Sequence, residues 1–361
     1  MKKNQLQTLV LVLMFSFISN LFAQKKGFEK VTKIADRLVK RHKVPGLAIT
    51  VAHNGKTVYA KGFGFADIEN KTPVNTDETI FRIGSVSKPI TATALAKLVQ
   101  EHKVDVNASL YKYLPNYPKA AADFTLKQLG GHLAGLRNYK GNEFMNNKPL
   151  TIAEGVDLFK NDTLLFTPNS NYAYTTYSFS LLSLALQTAM DKPFEKIVQD
   201  VVLSPLKMDH TFADAQQYLP NKATFYQHKS KRKFEQVSTV HNYFKLAGGG
   251  YLSTSDDITK LGNALLDANF IKDDVLKAFV ASQKVNGKLT YYGIGFQASY
   301  DHKNRPYFGH IGNGLGGYGI FYVYPKEKIV ITILTNCSNP MQDKKFNKMI
   351  DAVFNKIAKT N

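Results

Sequence analysis

In the stretch "FEKVTKIADRLVKRHK", apolar residues recur at Phe28, Val31, Ile34, Ala35, Leu38 and Val39. Spacings of three and four place them on one face of a helix. The next stretch, "GLAITVAHNGKTVYAKGFG", predicts two strands joined at Asn54-Gly55, a dipeptide that accepts the positive φ of a tight hairpin turn. From Ser85 to about Leu265 the pattern is mainly helical, interrupted by loops rich in Gly, Pro and Asn. Strand patterns return in "YYGIGFQASY", "PYFGHIG", "YGIFYVYP" and, after a turn over Pro325–Lys328, "KIVITILTN". An amphipathic helix, "FNKMIDAVFNKIAK", closes the chain.

This order predicts an α/β fold of the α+β kind, in which strands from both ends form one antiparallel sheet flanked by the terminal helices. The expected sheet lobe takes about 27–80 plus 290–361, and a mainly helical inserted lobe takes about 81–289. An active site would lie in the cleft between them. No internal repeat, low-complexity tract or linker divides the chain.

Composition adds a location and removes some functions. A chain of 361 residues, 44% hydrophobic and 12% aromatic, has ample material for a packed core. Its first residues carry Lys2 and Lys3, an apolar run over Leu9–Ile18 and a small residue at Ala23. That is a signal-peptide pattern over 1–23, and the run is short for a retained membrane anchor, the alternative reading. The expectation is an exported protein, periplasmic or secreted, with its structured part at 24–361. Cleavage would lower the formal charge from +19 to about +17, enough to favour an anionic envelope surface as a partner. The lysines are scattered and the one tight run, "KSKRK" at 229–233, sits in a polar stretch, so nucleic acid is not an expected partner. The single Cys337 excludes an intramolecular disulfide and a thiolate cluster. The histidines lack metal-ligand spacing, and His132 in "GGHLAGL" reads as a structural loop residue. Neither a metal nor an organic cofactor is expected.

Three short stretches carry candidate chemistry. In "FRIGSVSKPITATALAKL", Ser85 and Lys88 lie three residues apart where a strand-like run becomes a helix. They share a face of the first turn, so Ser85 is either a helix cap or an activated nucleophile. Ser-x-x-Lys occurs three more times, at Ser109, Ser204 and Ser230, but only Ser85 opens a long apolar-faced helix. Tyr174-Thr175-Thr176 precedes a second strongly apolar helix, where a core tyrosine followed by threonine caps is the plain reading. In "FGHIGNGLGGYGIFYVYP", Gly312, Gly314 and Gly317 fit the dinucleotide pattern G-x-G-x-x-G, yet a strand follows where that fingerprint requires a helix. Glycines beside a strand instead suit close approach of a ligand backbone. G-x-S-x-G, H-E-x-x-H and the phosphate-binding loop motif are absent.

Taken in order, these stretches resemble the serine beta-lactamase and penicillin-binding-protein superfamily, and within it the class C-like branch that includes D-stereospecific peptidases, esterases and the mitochondrial beta-lactamase-like serine protease. Ser85-Val-Ser-Lys88, Tyr174-Thr-Thr176 and His310-Ile-Gly312 stand where the family has Ser-x-x-Lys, Tyr-x-Asn or a variant, and Lys/His-Thr/Ser-Gly. "LKQLGGHLAGLRNY" and "LAGGGYLSTSDDITKLGNALL" resemble supporting stretches, and the likeness covers roughly 28–358. It implies a serine hydrolase that cleaves an amide or ester through a Ser85 acyl-enzyme, with Lys88 as base and Tyr174 as proton carrier. Thr176 would orient Lys88 or the substrate, and the N–H groups of Ser85 and Asn313 would form the oxyanion hole. Bringing a lysine from about 10.4 to neutrality takes a shift of roughly 3 units, or about 4 kcal/mol. The departures bear on substrate. His310-Ile311 replaces the pair that holds a carboxylate in penicillin-binding members, a loss of about 1.5–3 kcal/mol in recognition. Peptides, D-amino-acid peptides and simple esters are therefore the expected substrates, ahead of beta-lactams and D,D-carboxypeptidase substrates. Asn169 and Thr176 also depart from the family's usual glycine and asparagine. A non-catalytic binding or sensor protein on the same scaffold is the remaining alternative.

Overall fold

Asn54 (φ 51°) and Gly55 (φ 75°) make the tight turn their sequence predicts, folding β1 (Gly46–His53) back onto β2 (Lys56–Asp67). The protein is represented here by a computed structural model that describes residues 27–118, 122–215 and 218–359. The signal-peptide expectation for 1–23 lies outside the described residues. After β3 (Thr72–Pro73) the chain leaves the sheet and returns as β4 (Gln297–Tyr300), β5 (Pro306–Gly314), β6 (Gly317–Tyr324) and β7 (Ile329–Thr335). The sheet has the order β4-β5-β6-β7-β1-β2-β3, and every neighbouring pair is antiparallel. β1 joins the two ends of the chain, pairing Leu47 with Thr335 through to His53 with Ile329.

The central strands are apolar at nearly every position because both faces of the sheet are covered. Leu47, Ile49 and Val51 of β1 join Ile329, Ile331 and Ile333 of β7 in a core beneath α1 (Glu29–Lys40) and the C-terminal helix Asp343–Ile357. Ala48 and Ala52, with Val330 and Leu334, face the larger core on the other side. That core contains α2 (Ser87–Gln100), α3 (Tyr177–Met190) and α4 (Ser255–Leu265); the C-terminal helix is therefore α5. Fully burying one such aliphatic side chain contributes about 1.5–3 kcal/mol. Among the described residues no helix is long and apolar enough to cross a membrane.

Two differences from the sequence pattern matter for the site. The expected strand "YYGIGFQASY" begins only at Gln297. Residues 291–296 instead form a loop tied down by Ile294 N–H to Phe279 O (2.7 Å) and Gly295 N–H to Gly130 O (2.9 Å). Gly295, at φ 77°, lies so close to α2 that a Cβ would stand 2.5 Å from Ala92 Cβ. The helical region also holds a small three-stranded ribbon, Phe81–Arg82, Tyr251–Ser253 and Phe212–Ala213, which leads directly into Ser85.

Candidate active site

The ribbon strand Phe81–Arg82 ends at Gly84, whose φ of 51° turns the chain into a 3-10 turn over Gly84–Val86 before α2 begins. Ser87 pins this turn: its hydroxyl donates to Gly84 O at 2.7 Å and accepts from Tyr251 N–H at 3.1 Å. Ser85 makes no side-chain cap to the helix, which begins after Val86. Its Oγ instead lies 3.1 Å from Lys88 Nζ and accepts from the Tyr174 hydroxyl at 2.8 Å. The tyrosine comes from the loop before α3, 89 residues away in sequence.

Lys88 is wholly buried, and its Nζ donates to Gly248 O at 2.6 Å. Among the described residues no carboxylate offsets this burial, which holds its pKa well below the ordinary lysine value. A neutral amine fits these contacts: one N–H serves Gly248 O and the lone pair faces the Ser85 hydroxyl. The rings of Tyr174 and Phe179 cover the nitrogen at 4.8 and 5.2 Å. Burial pushes the Tyr174 phenol above its usual value, so it remains a proton donor in the resting site.

The remaining expected residues divide between the cavity and its supports. Ser85, Thr176 and Asn313 line one cavity with Tyr139, Lys245 and Leu315. Asn313 passes close to the serine turn, since a Cβ on Gly84 would stand 2.9 Å from Asn313 N. Gly312 is tighter still, with a Cβ position 1.9 Å from Ile83 O. The Thr176 hydroxyl is bonded to Tyr139, while Lys88 bonds to Ser85 and Gly248. His310, expected beside the substrate, lies behind the wall and is 1% exposed. Its Nδ1 faces Ile311 O at 2.7 Å and its Nε2 faces the Tyr292 hydroxyl at 2.8 Å. The carbonyl can only accept, which assigns the proton to Nδ1 and leaves Nε2 to accept from Tyr292. Burial, and then the Lys88 charge, push the His310 pKa down to about 3. Its physical role in the resting structure is thus a neutral, internally bonded support.

His132 is similarly buried, with ring centroids of Tyr174 and Tyr292 at 4.4 and 4.6 Å and a contact from Thr175 N–H to Nδ1 at 3.3 Å. It supports the catalytic tyrosine candidate from behind. Sequence periodicity gave no sign of Tyr292, Gly248, Ser87 or Lys245. Gly248 offered one signal, as the first of three consecutive glycines, because a Cβ there would stand 2.6 Å from Thr176 Cγ2. Among the described residues no His, Cys, Asp and Glu group is arranged to hold a metal ion. What the site assembles is a hydroxyl between a buried amine whose pKa is lowered and a buried phenol whose pKa is raised, beside backbone N–H groups.

The beta-lactamase family model matches residues 31–356. Serine beta-lactamase-like protein LACTB, mitochondrial, from Homo sapiens is 26% identical over 311 residues, covering 67% of this chain and 57% of that protein. The chain thus spans less than two thirds of that relative's length. Teichoic acid D-alanine hydrolase from Staphylococcus aureus is 27% identical over 323 residues, covering 87% of this chain and 75% of that protein. The structure of D-amino acid amidase from Ochrobactrum anthropi SV3 complexed with D-phenylalanine superimposes with a TM-score of 0.80 at 22% identity, covering 91% and 98% of the two chains.

Proposed function

We propose that this chain, which belongs to the beta-lactamase family, is a serine hydrolase that cleaves an ester or amide, including D-amino-acyl and peptide substrates, through a Ser85 acyl-enzyme. The observation that carries this reading is the placement of Ser85 Oγ 3.1 Å from Lys88 Nζ and 2.8 Å from the Tyr174 hydroxyl. Neutral Lys88 accepts the Ser85 proton as Oγ attacks the carbonyl. The developing oxyanion turns toward the N–H groups of Ser85 and Asn313, each donor worth about 3–4 kcal/mol to the transition state. Tyr174 gives its proton to the leaving group and regains one from the Lys88 side. Water then releases the acyl group by the reverse path. Burial lowers the pKa of the amine and raises that of the phenol, so Lys88 is the stronger candidate for the base.

Names among the similar proteins support this substrate range, one being a teichoic acid D-alanine hydrolase and another a D-amino acid amidase. The buried His310 argues against recognition of a penicillin carboxylate at that motif, and chromogenic cephalosporin turnover is expected to be poor. The leader pattern over 1–23 supports export to the periplasm or beyond. A cleft between α1 and α5 lined by Lys30, Lys33, Arg37, Arg41, Lys345 and Lys348 supports contact with an anionic envelope surface.

The test is intact mass after incubation with a fluorophosphonate. A single adduct on the wild type that is lost in Ser85→Ala is the expected result. No adduct on folded wild type would refute the hydrolase reading and favour a binding protein on this scaffold.

A further inference from the structure

The cavity beside Ser85 is lined by basic side chains that acyl transfer does not use. Two cations besides Lys88 belong to its surroundings, Arg82 and Lys245. Arg82 is already neutralised: its Nε donates to Asp214 Oδ2 at 2.6 Å and its Nη1 to Leu315 O at 2.9 Å. The same Asp214 oxygen also accepts from Asn242 Nδ2 at 2.5 Å, so that carboxylate is engaged.

Lys245 has no such partner. It is 3% exposed, and its Nζ donates to Phe144 O at 2.6 Å. The rings of Phe144, Phe244 and Tyr139 flank the nitrogen at 4.2, 5.3 and 5.5 Å. Lys245 enters none of the ion pairs among the described residues. An ammonium has three N–H donors, and one carbonyl serves one of them. Burying a cation without a counter-charge is expensive. Burial, then the Arg82 charge, hold its pKa down to about 7, with Asp214 opposing the shift. An anion arriving in the cavity would favour the protonated form of this amine and meet its spare donors, where a charge-assisted bond is strong. His310 offers no competing receptor, because both its nitrogens are engaged behind the wall.

We propose that Lys245 is a specificity-determining residue that binds a carboxylate on the substrate, making the preferred substrates acidic esters or amides. The inference rests on the hydrolase reading and narrows its substrate class. The carboxylate sits within the reach of the cavity wall formed by Lys245, Tyr139 and Phe144. It lies on either the acyl or the leaving-group side of the scissile bond.

The experiment uses two matched ester pairs: mono-p-nitrophenyl glutarate against p-nitrophenyl butyrate, and 3-carboxyphenyl acetate against phenyl acetate. Wild type is expected to prefer the carboxylate member of at least one pair. In Lys245→Met that preference falls about 10- to 100-fold, chiefly through KM, and Lys245→Arg restores part of it. A measurement on wild type alone guards against a variant that does not fold. Glutarate should inhibit turnover of the neutral ester at a concentration at least about tenfold lower than glutaramide does. Turnover with no Lys245-dependent preference in either pair, or equal inhibition by glutarate and glutaramide, overturns this inference and leaves the hydrolase reading standing. No turnover of any of the four esters and no fluorophosphonate adduct overturns both.

Discussion

Gly312→Ala tests whether the strand beside Ser85 must approach as closely as the acyl-transfer reading requires. Gly312 has an ordinary backbone conformation, so alanine brings no intrinsic strain there. The obstacle is contact: the added Cβ would stand 1.9 Å from Ile83 O and 3.0 Å from both Ile83 C and Val86 N. Ordinary van der Waals separation begins near 3.4 Å, so β5 must retreat from the serine turn by about 1.5 Å. Asn313, the next residue, moves with it. An oxyanion donor acts at about 2.7–3.1 Å, and losing one costs about 2.7–4 kcal/mol, or roughly 100- to 1,000-fold in kcat. Overpacking should also cost about 1–3 kcal/mol of stability. Gly314→Ala is the comparison on the same strand, because its Cβ would meet only Gly84 Cα at 3.9 Å. The assay is kcat on p-nitrophenyl acetate, with Tm recorded for each variant. Gly312→Ala is expected to lose at least tenfold more kcat than Gly314→Ala. A folded Gly312→Ala enzyme with kcat within about threefold of wild type would refute the assignment of this strand to the oxyanion hole.

Two further outcomes follow from buried bases whose pKa the fold lowers. Burial lowers the native Lys88 pKa, so over a range below the ordinary lysine value the unfolded residue holds a proton that native Lys88 does not, and there this residue makes stability rise with pH. Lys88→Met should abolish turnover and flatten that rise by up to about 1.4 kcal/mol per pH unit, read from urea unfolding; an unchanged slope would mean that native Lys88 stays charged. His310, with its pKa pushed down to about 3, stays neutral in the native state while the unfolded histidine protonates below about 6.5. Its contribution to stability is therefore lost as pH falls from about 6.5 toward 3, and His310→Gln should reduce the loss measured between pH 6 and pH 4. Equal losses in the two proteins would show that native His310 takes up its proton over the same pH range as the unfolded histidine.

The sequence by itself determined the kinds of element and their order. Helical spacing from Phe28 to Val39 became α1, Asn54-Gly55 became the β1–β2 turn, and the apolar runs near the C-terminus became central strands. These are local properties, because a period of two or 3.6 residues reports which side of an element is buried. Ser85 and Lys88 were legible for the same reason, being one helical turn apart. Tyr174 was legible only through its order in a family pattern, since 19 tyrosines compete for notice. Tertiary structure decided what these groups can do. It carried Tyr174 across 89 residues to the Ser85 hydroxyl and removed Lys88 from water without a counter-ion. It also turned residues 291–296 out of the sheet, so that Tyr292 could engage His310 behind the cavity wall. Lys245, with no motif to mark it, became a cavity cation through the packing of Tyr139, Phe144 and Phe244. Charge state and reach depend on which distant groups exclude water from a site, and no periodicity along the chain records that.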